Sequence, residues 1–345
     1  LNAEPPGDLL RQTFLTPREY FYIRTHGSIP TMDPTSYRLL LTGLVQRKRD
    51  LSLDELRSQF SVHTVTATLE CAGNRRQELM AVKPIPGEVP WRANVIGTAQ
   101  WRGVPLREVL QAVGVKADAR YVALTSLDET QFEGEQVSFG TSIALEKALS
   151  PDVLLAYEMN DEPLAPEHGF PLRAIVPGSI GVKSVKWLRE ITLQEHASTN
   201  PYQARDYKIF PPEITSKTVD WSRGKTIEEL ILNAVITTPQ EGITVAAGPH
   251  RIQGYAISSE GASVERVELS VDGGKTWTTA NITECAGPFA WCFWEVSVAF
   301  SPGDYQIITR AWDTSGQTQP EDARPLWNFK GYMNNAWHSV KIHVS

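Results

Sequence analysis

The residues with the clearest capacity for chemistry lie in the run TATLECAGNRR, Thr66 to Arg76. β-Branched Val62, Val65, Thr66 and Thr68 lead to Cys71, Ala72-Gly73-Asn74 and two arginines. That pattern predicts a strand handing a thiol to a tight turn, with the sulfur exposed. Arg75 and Arg76, four and five residues on, would lower the thiol pKa, because nearby positive charge favours the thiolate that ligates metals and attacks electrophiles. A lone cysteine is more often a small buried hydrophobe, and an Arg-Arg pair is more often a solvated surface. The spacing by itself leaves both readings open.

Other segments carry chemistry-bearing side chains beside glycine or proline. Ile23-Arg24-Thr25-His26 follows an aromatic, β-branched run and precedes Gly27, a strand-to-loop exit. The stretches HGFPLR (His168 to Arg173) and GVKSVKW (Gly181 to Trp187) hold irregular backbone beside Lys, Arg, Ser and His, and such loops can aim N–H groups and cations at a phosphate. Each alone reads equally as a charged turn between buried strands. Trp91-Arg92 alone reads as surface packing.

The elements that must position these residues are legible in outline. Tyr37 to Val45 has a strand pattern, and Ser52 with Glu55 makes a capping-box start to a helix reaching about Gln59. An amphipathic helix starts near Val104-Pro105 and stops at Gly114. The run from Tyr121 alternates as strands and turns, and SFGTSIALEKAL is expected to lead into a helix with Ser142 near its start. The first stretch, to about Arg11, is expected to be irregular. Tyr202 onward is polar, proline-containing and weakly periodic, a connecting segment ending near Thr226. Beyond it, short alternating runs separated by Gly, Pro or Asp predict a β-sandwich, with a hairpin turn at Asp272 to Gly274.

Composition narrows the class. The 345 residues allow two or three domains, and 41% hydrophobic with 21% charged residues is ordinary for a soluble globular protein with no membrane span. A net charge of −7 argues against nucleic acid, so an anionic ligand would need a locally positive pocket. Three cysteines lack zinc-site spacing; Cys285 and Cys292 would pair in an oxidising compartment or remain two thiols on neighbouring strands. The chain begins at Leu1 with no basic, apolar leader, which fits either a processed leader or a truncated chain, so periplasm and cytoplasm both stay open.

With CAGNRR, HGFPLR, GVKSVKW and the C-terminal WNFKGYMNNAWHSVKIHV in order, the chain from about Tyr20 onward resembles the sulfite oxidase family. The resemblance implies an α+β molybdopterin-binding domain over residues 1–225 and an all-β immunoglobulin-like dimerisation domain over 226–345. It implies Cys71 as the molybdenum ligand. Ile23, Arg24, His26, Asp128, His168, Arg173, Ser184, Val185 and Lys186 would contact the molybdopterin. Arg24, Arg76, Trp91, Phe139 and Lys330 would form the substrate pocket, in which cations hold a small oxyanion. The implied reaction is oxidation of sulfite to sulfate by oxygen-atom transfer in a homodimer. The stretch before Tyr20 is too short for a haem domain, so electrons would leave to an external acceptor, for which a c-type cytochrome is one candidate.

Two positions depart from the family pattern. Phe139 stands where a Tyr precedes Gly-[Ala/Thr]-Ser-Ile, and Lys330 where vertebrate-like members have Arg. Phenylalanine cannot donate a phenolic hydrogen bond, and lysine offers a point charge instead of a two-pronged fork. A related molybdopterin reductase of nitrate or a sulfoxide is therefore a second reading. A cofactor-free binding protein built on the sandwich, with Cys71 as packing, is a third.

Overall fold

The computed structural model describes residues 1–345. Its N-terminal part is built on two sheets. One runs, in spatial order, Glu162–Pro163, Leu154–Met159, Ile96–Pro105 and His63–Glu70, all antiparallel, with Arg173–Ile175 also paired to Leu154–Met159. The other runs Arg49–Leu51, Leu39–Gly43, Leu188–Gln194, Tyr121–Phe132 and Glu135–Ala144, with a single parallel pairing, Leu39–Gly43 to Leu188–Gln194. A shared core of Leu39, Leu41, Leu110, Val122, Leu155, Leu188 and Ile191 lies between them. Sheets dominated by antiparallel pairs and covered by short helices make this an α+β unit.

Local signals act where the sequence places them. Ser52 Oγ accepts the Glu55 N–H at 3.1 Å while Glu55 Oε2 accepts the Ser52 N–H at 2.8 Å, and the helix Leu53–Gln59 follows. Helix Leu106–Val113 buries Leu106, Val109, Leu110 and Val113, one face of a 3.6-residue period. It ends at Gly114, whose φ of +73° lets its N–H reach the Leu110 and Gln111 carbonyls.

Two expectations change. Ser142 lies inside the strand Glu135–Ala144, and only Leu145–Ala148 is helical. A long ladder to Tyr121–Phe132, closed by a turn with Glu133 and Gly134 at positive φ, outweighs the helical preference of the following ALEKAL. The N-terminus is also not irregular throughout: Asn2–Ala3 pairs with Ile23–Arg24, and Gly7–Leu10 makes a helical turn that buries Leu10.

The C-terminal part is an immunoglobulin-like sandwich. One sheet is Asn233–Thr238, Gly248–Ile257, Cys292–Phe300 and Asn281–Cys285; the other is Thr244–Val245, His338–Val344, Gly303–Asp313, Val264–Ser270 and Thr278–Thr279. Alternation is strict in His338–Val344, whose odd positions point to solvent and even ones inward to meet Ile252, Val267, Trp294 and Ile307. The Asp272–Gly274 turn is a wider loop than a two-residue hairpin, with the Asp272 carboxylate accepting the Lys275 and Thr276 N–H groups. Cys285 and Cys292 face each other across antiparallel strands and are disulfide-bonded. No helix is long and apolar enough to cross a membrane.

The two parts meet in a cluster that includes Ala72, Ile96, Tyr207, Tyr255, Trp291 and Tyr332. The Cys71 turn lies in this seam. The segment from Tyr202 crosses it, as a single wide helical turn over Tyr202–Asp206 followed by Lys208–Ile209 paired to Lys225–Thr226. The last loop, from Trp327 to Trp337, returns over the turn: the Met333 N–H donates to the Ala72 carbonyl at 2.8 Å.

Candidate active site

Strand His63–Glu70 ends one residue before Cys71, and the turn after it is fixed by its own polar groups. The Asn74 N–H closes on the Cys71 carbonyl at 2.9 Å. The Asn74 side chain donates to Glu70 Oε1 at 2.7 Å and Tyr255 Oη at 3.1 Å, and accepts the Val95 N–H at 3.1 Å. Gly73 is required by space, since a Cβ there would lie 2.6 Å from Arg76 Nη2. The two arginines part at this point. Arg75, fully buried at φ +66°, turns away to hold both Glu78 oxygens (2.8 and 2.6 Å) and Asn233 of the sandwich (2.8 Å). Arg76 folds back beneath the turn.

Cys71 is not exposed. It packs with Trp91 and Val95, with Tyr22 and Val89 beside them, at 7% of its free accessibility. Burial pushes its thiol pKa up, and Arg76 and then Arg24 only partly oppose that. The expected depression by an Arg-Arg pair therefore does not occur in the protein alone, because one arginine faces elsewhere and desolvation outweighs the other.

A cleft of about 700 Å³, part of it open to solvent, begins at Cys71. Its wall includes ten of the residues singled out in the sequence: Arg24, His26, Cys71, Asp128, Phe139, His168, Arg173, Ser184, Val185 and Lys186. Ile23, Arg76, Trp91 and Lys330 lie outside the wall. Ile23 pairs with Ala3 on the small N-terminal ladder. Arg173 donates to the His168 and Ser184 carbonyls at 2.9 and 3.0 Å, and His168 Nε2 donates to the Arg18 carbonyl at 3.0 Å. Burial lowers the Arg173 pKa to about 10 and that of His168 to about 4; Lys186 falls to about 7 through burial first and the charge of Arg173 second.

The cradle is short of partners. Asp128 Oδ1, Arg173 Nε and Trp91 Nε1 are buried with none, and such orphans are uncommon in a finished interior. Buried cations with depressed pKa values beside unused donors and acceptors are what an anionic, hydrogen-bonding group would complete. Nowhere do three or more His, Cys, Asp or Glu side chains converge on one point. A metal at Cys71 would thus have one soft protein ligand and would bring its remaining ligands with it. The residues present fit a metal carried by a phosphate-bearing organic cofactor.

The expected substrate cations are differently placed. Arg76 donates to the carbonyls of Lys330 (3.0 Å), Gly331 (3.2 Å) and Val89 (3.0 Å) and lies over the Tyr332 ring. Lys330 is clamped between Glu88 Oε1 at 2.5 Å and Asp206 Oδ1 at 2.6 Å. Burial opposes the ammonium charge, but Asp206 and then Glu88 outweigh it and raise the Lys330 pKa. Phe139 stacks on His26 at 5.2 Å and 15° between planes, so its ring serves as a plate for the imidazole.

Sequence reasoning missed the phenol that faces the cleft. Tyr207 lines the wall, hydrogen-bonds His26 Nε2 at 2.9 Å and stacks on Tyr332 at 5.3 Å. It arrives on the connecting segment, whose lack of periodicity concealed it and its neighbour Asp206; the acid Glu88, in the loop after the helix Arg76–Val82, was missed as an ordinary loop carboxylate. Tyr22 also lines the cleft, and its position two residues before Arg24 was the available signal.

Comparison with known proteins agrees with this arrangement. Residues 26–202 match the oxidoreductase molybdopterin binding domain, and residues 224–345 the Mo-co oxidoreductase dimerisation domain. Sulfite oxidase of Gallus gallus is 42% identical over 98% of this chain and 75% of its own length. That of Arabidopsis thaliana is 38% identical over 99% of this chain and 92% of its own. Nitrate reductase [NADH] 1 of Oryza sativa subsp. japonica is 39% identical over the whole chain and 40% of its own length. The chain spans 64% of the mitochondrial sulfite oxidases of Rattus norvegicus and Homo sapiens. Among solved structures, the sulfane dehydrogenase SoxCD of Paracoccus pantotrophus superposes with a TM-score of 0.83 at 29% identity, over 96% of this chain and 82% of that one. With its thiol turn, its cation-lined cleft and both domains in register, the chain belongs to the sulfite oxidase family of molybdopterin-binding oxidoreductases.

Proposed function

We propose that this protein oxidises sulfite to sulfate at a molybdenum–molybdopterin centre held by Cys71, and that the electrons leave to an external acceptor. The observation that carries the reading is the cleft that joins one buried thiol to a cradle of unpartnered buried polar groups and cations. The cofactor supplies the oxygen transfer and takes up the electron pair; sulfite and water give sulfate, two protons and two electrons.

The chain's own residues have three tasks. Cys71 ligates the metal, while His168, Arg173, Ser184, Val185, Lys186 and Asp128 orient the pterin and its phosphate. Arg24, with Tyr207 beside it and Arg76 and Lys330 behind the turn, sets the positive field that draws a dianion to the metal. Trp91 and the seam exclude water, and at low local dielectric the same charges act more strongly than they would in solution. The domain boundary falls near Thr226, and the sandwich forms a two-fold dimer that sedimentation at micromolar concentration would reveal. A c-type cytochrome is the first acceptor to test.

Steady-state turnover of sulfite, nitrate and methionine sulfoxide against several electron donors and acceptors tests the substrate. Sulfite should give the largest kcat/KM. A preference for nitrate, the substrate named by the rice relative, would replace sulfite without disturbing the cofactor assignment.

A further inference from the structure

Cys285 and Cys292 close the ladder between Asn281–Cys285 and Cys292–Phe300, and the loop they pinch off, Ala286 to Trp291, reaches out of the sandwich into the N-terminal part. It lands on the strand that carries Cys71. His63–Glu70 is an edge strand, paired on one side only, to Ile96–Pro105. The loop covers the free edge at Thr68. There the Thr68 N–H donates to the Phe289 carbonyl at 2.9 Å, and Thr68 Oγ1 accepts the Trp291 N–H at 2.8 Å. Phe289 packs against the cluster that holds Val65, Ala67 and Leu69 of the same strand.

A second route runs through Trp291, which is fully buried. Its ring lies 5.5 Å from that of Tyr255, and the Tyr255 hydroxyl accepts from the Asn74 side chain at 3.1 Å. The Asn74 N–H in turn closes on the Cys71 carbonyl. The loop therefore bears on the backbone entering the thiol turn directly and on the backbone leaving it through Tyr255.

The disulfide sets how firmly the loop can press. Gly287 and Pro288 at its tip are exposed, so the loop is fixed by its ends, and a covalent link across the last ladder pair restricts the conformations it can adopt. Cys285 is itself exposed, whereas Cys292 is buried, so a thiol in solution meets the bond from the Cys285 side.

We propose that Cys285 and Cys292 form a redox modification site: the closed disulfide holds the loop against the Cys71 strand, and opening by a dithiol loosens the Cys71 turn and slows turnover. One thiolate of the dithiol attacks Cys285 Sγ, and Cys292 Sγ leaves and takes a proton. The second thiol of the dithiol then displaces Cys285 Sγ, which is protonated as well. Two electrons and two protons pass to the protein, and the dithiol ends as a disulfide. The effect on turnover rests on the reading of Cys71 as the metal ligand; the loosening does not.

The test treats molybdenum-loaded protein with dithiothreitol, removes it, and follows free thiols, amide hydrogen exchange and sulfite kcat and KM before and after re-oxidation with oxidised glutathione. Opening should speed exchange at Thr68, Asn74 and Trp291 about tenfold, the worth of one hydrogen bond. Exchange in the helix Leu53–Gln59 should stay parental, and kcat should fall while KM holds. Re-oxidation should reverse both changes. A Cys285→Ser, Cys292→Ser double variant should carry them from the start and not respond to dithiothreitol, which separates the disulfide from any action on the metal. Three free thiols in the untreated protein, parental exchange at Thr68 and Asn74 once the bond is open, parental kcat despite loosening, or a dithiothreitol response in the double variant would each overturn the proposal. Loosening that follows the disulfide in a protein that retains no molybdenum would overturn the Cys71 reading and leave the loop's hold on the turn standing; sulfite turnover indifferent to the disulfide would do the reverse.

Discussion

Lys330 shows how far a residue's type can be separated from its role by its neighbours. In the sequence it reads as a cation for the substrate; in the structure its charge is already shared by Glu88 and Asp206. An anion that uses this ammonium must compete with two carboxylates, so Lys330 contributes field more than contact. Lys330→Ala should therefore act twice. Sulfite KM should rise, more at low than at high ionic strength, because part of the effect is attraction over a Debye length. Stability should also fall by about 1–3 kcal/mol, since two largely buried carboxylates lose their partner. Urea unfolding beside kinetics in varied salt checks both; a KM that rises with no loss of stability would mean the clamp is absent in solution. Restoring a hydroxyl at Phe139 is not expected to add a substrate contact, because Tyr207 and Tyr22 already line the cleft and the ring at position 139 stacks on His26.

The central element is the turn from Cys71 to Arg76, and Gly73 is its tightest point. Arg76 is 3% exposed and engaged with three carbonyls, so it cannot yield to a new methyl group at 2.6 Å. Gly73→Ala should dislodge that guanidinium, leave far-ultraviolet circular dichroism unchanged and raise sulfite KM about tenfold, as for loss of one charge-assisted bond. An unchanged KM would show that Arg76 lies too far from the substrate to matter. This turn also marks the limit of sequence reading. Its strand, its glycine and the cysteine at the strand's end were legible because they depend on neighbours a few residues away, as were the Ser52 cap and the Gly114 stop. The burial of Cys71 was not, because the side chains packed on it, Trp91, Val95 and Tyr22, come from other elements 20 to 49 residues away in the chain. Tyr207 and Asp206 were hidden similarly, on a segment whose conformation is set by the two units it joins and not by its own periodicity.

For the whole molecule, the seam that roofs the site also makes stability depend on pH. His338 of the sandwich is buried there, with Nδ1 accepting the Ile236 N–H at 3.2 Å and Nε2 4.0 Å from Glu78. Burial lowers its pKa to about 4, with Glu78 opposing and Arg75 reinforcing. An unfolded histidine titrates near ~6.5. Between those values the unfolded chain binds a proton that the folded chain does not, so stability is lost as pH falls through ~6.5 toward ~4 and then levels. The His338 contribution is on the order of 3 kcal/mol over that window. Urea unfolding at stepped pH should show the parent losing stability more steeply than His338→Gln; equal slopes would place the titration elsewhere.

In the proposed function a single thiolate, Cys71, holds a metal centre that turns sulfite into sulfate. Mixing molybdenum-loaded protein with excess sulfite, in the absence of any electron acceptor and of oxygen, and counting the sulfate formed, tests that claim most directly. One sulfate per molybdenum in the parent, and none in a folded Cys71→Ser variant, is the predicted result. No sulfate from the fully loaded parent, or equal yields from parent and variant, would contradict it.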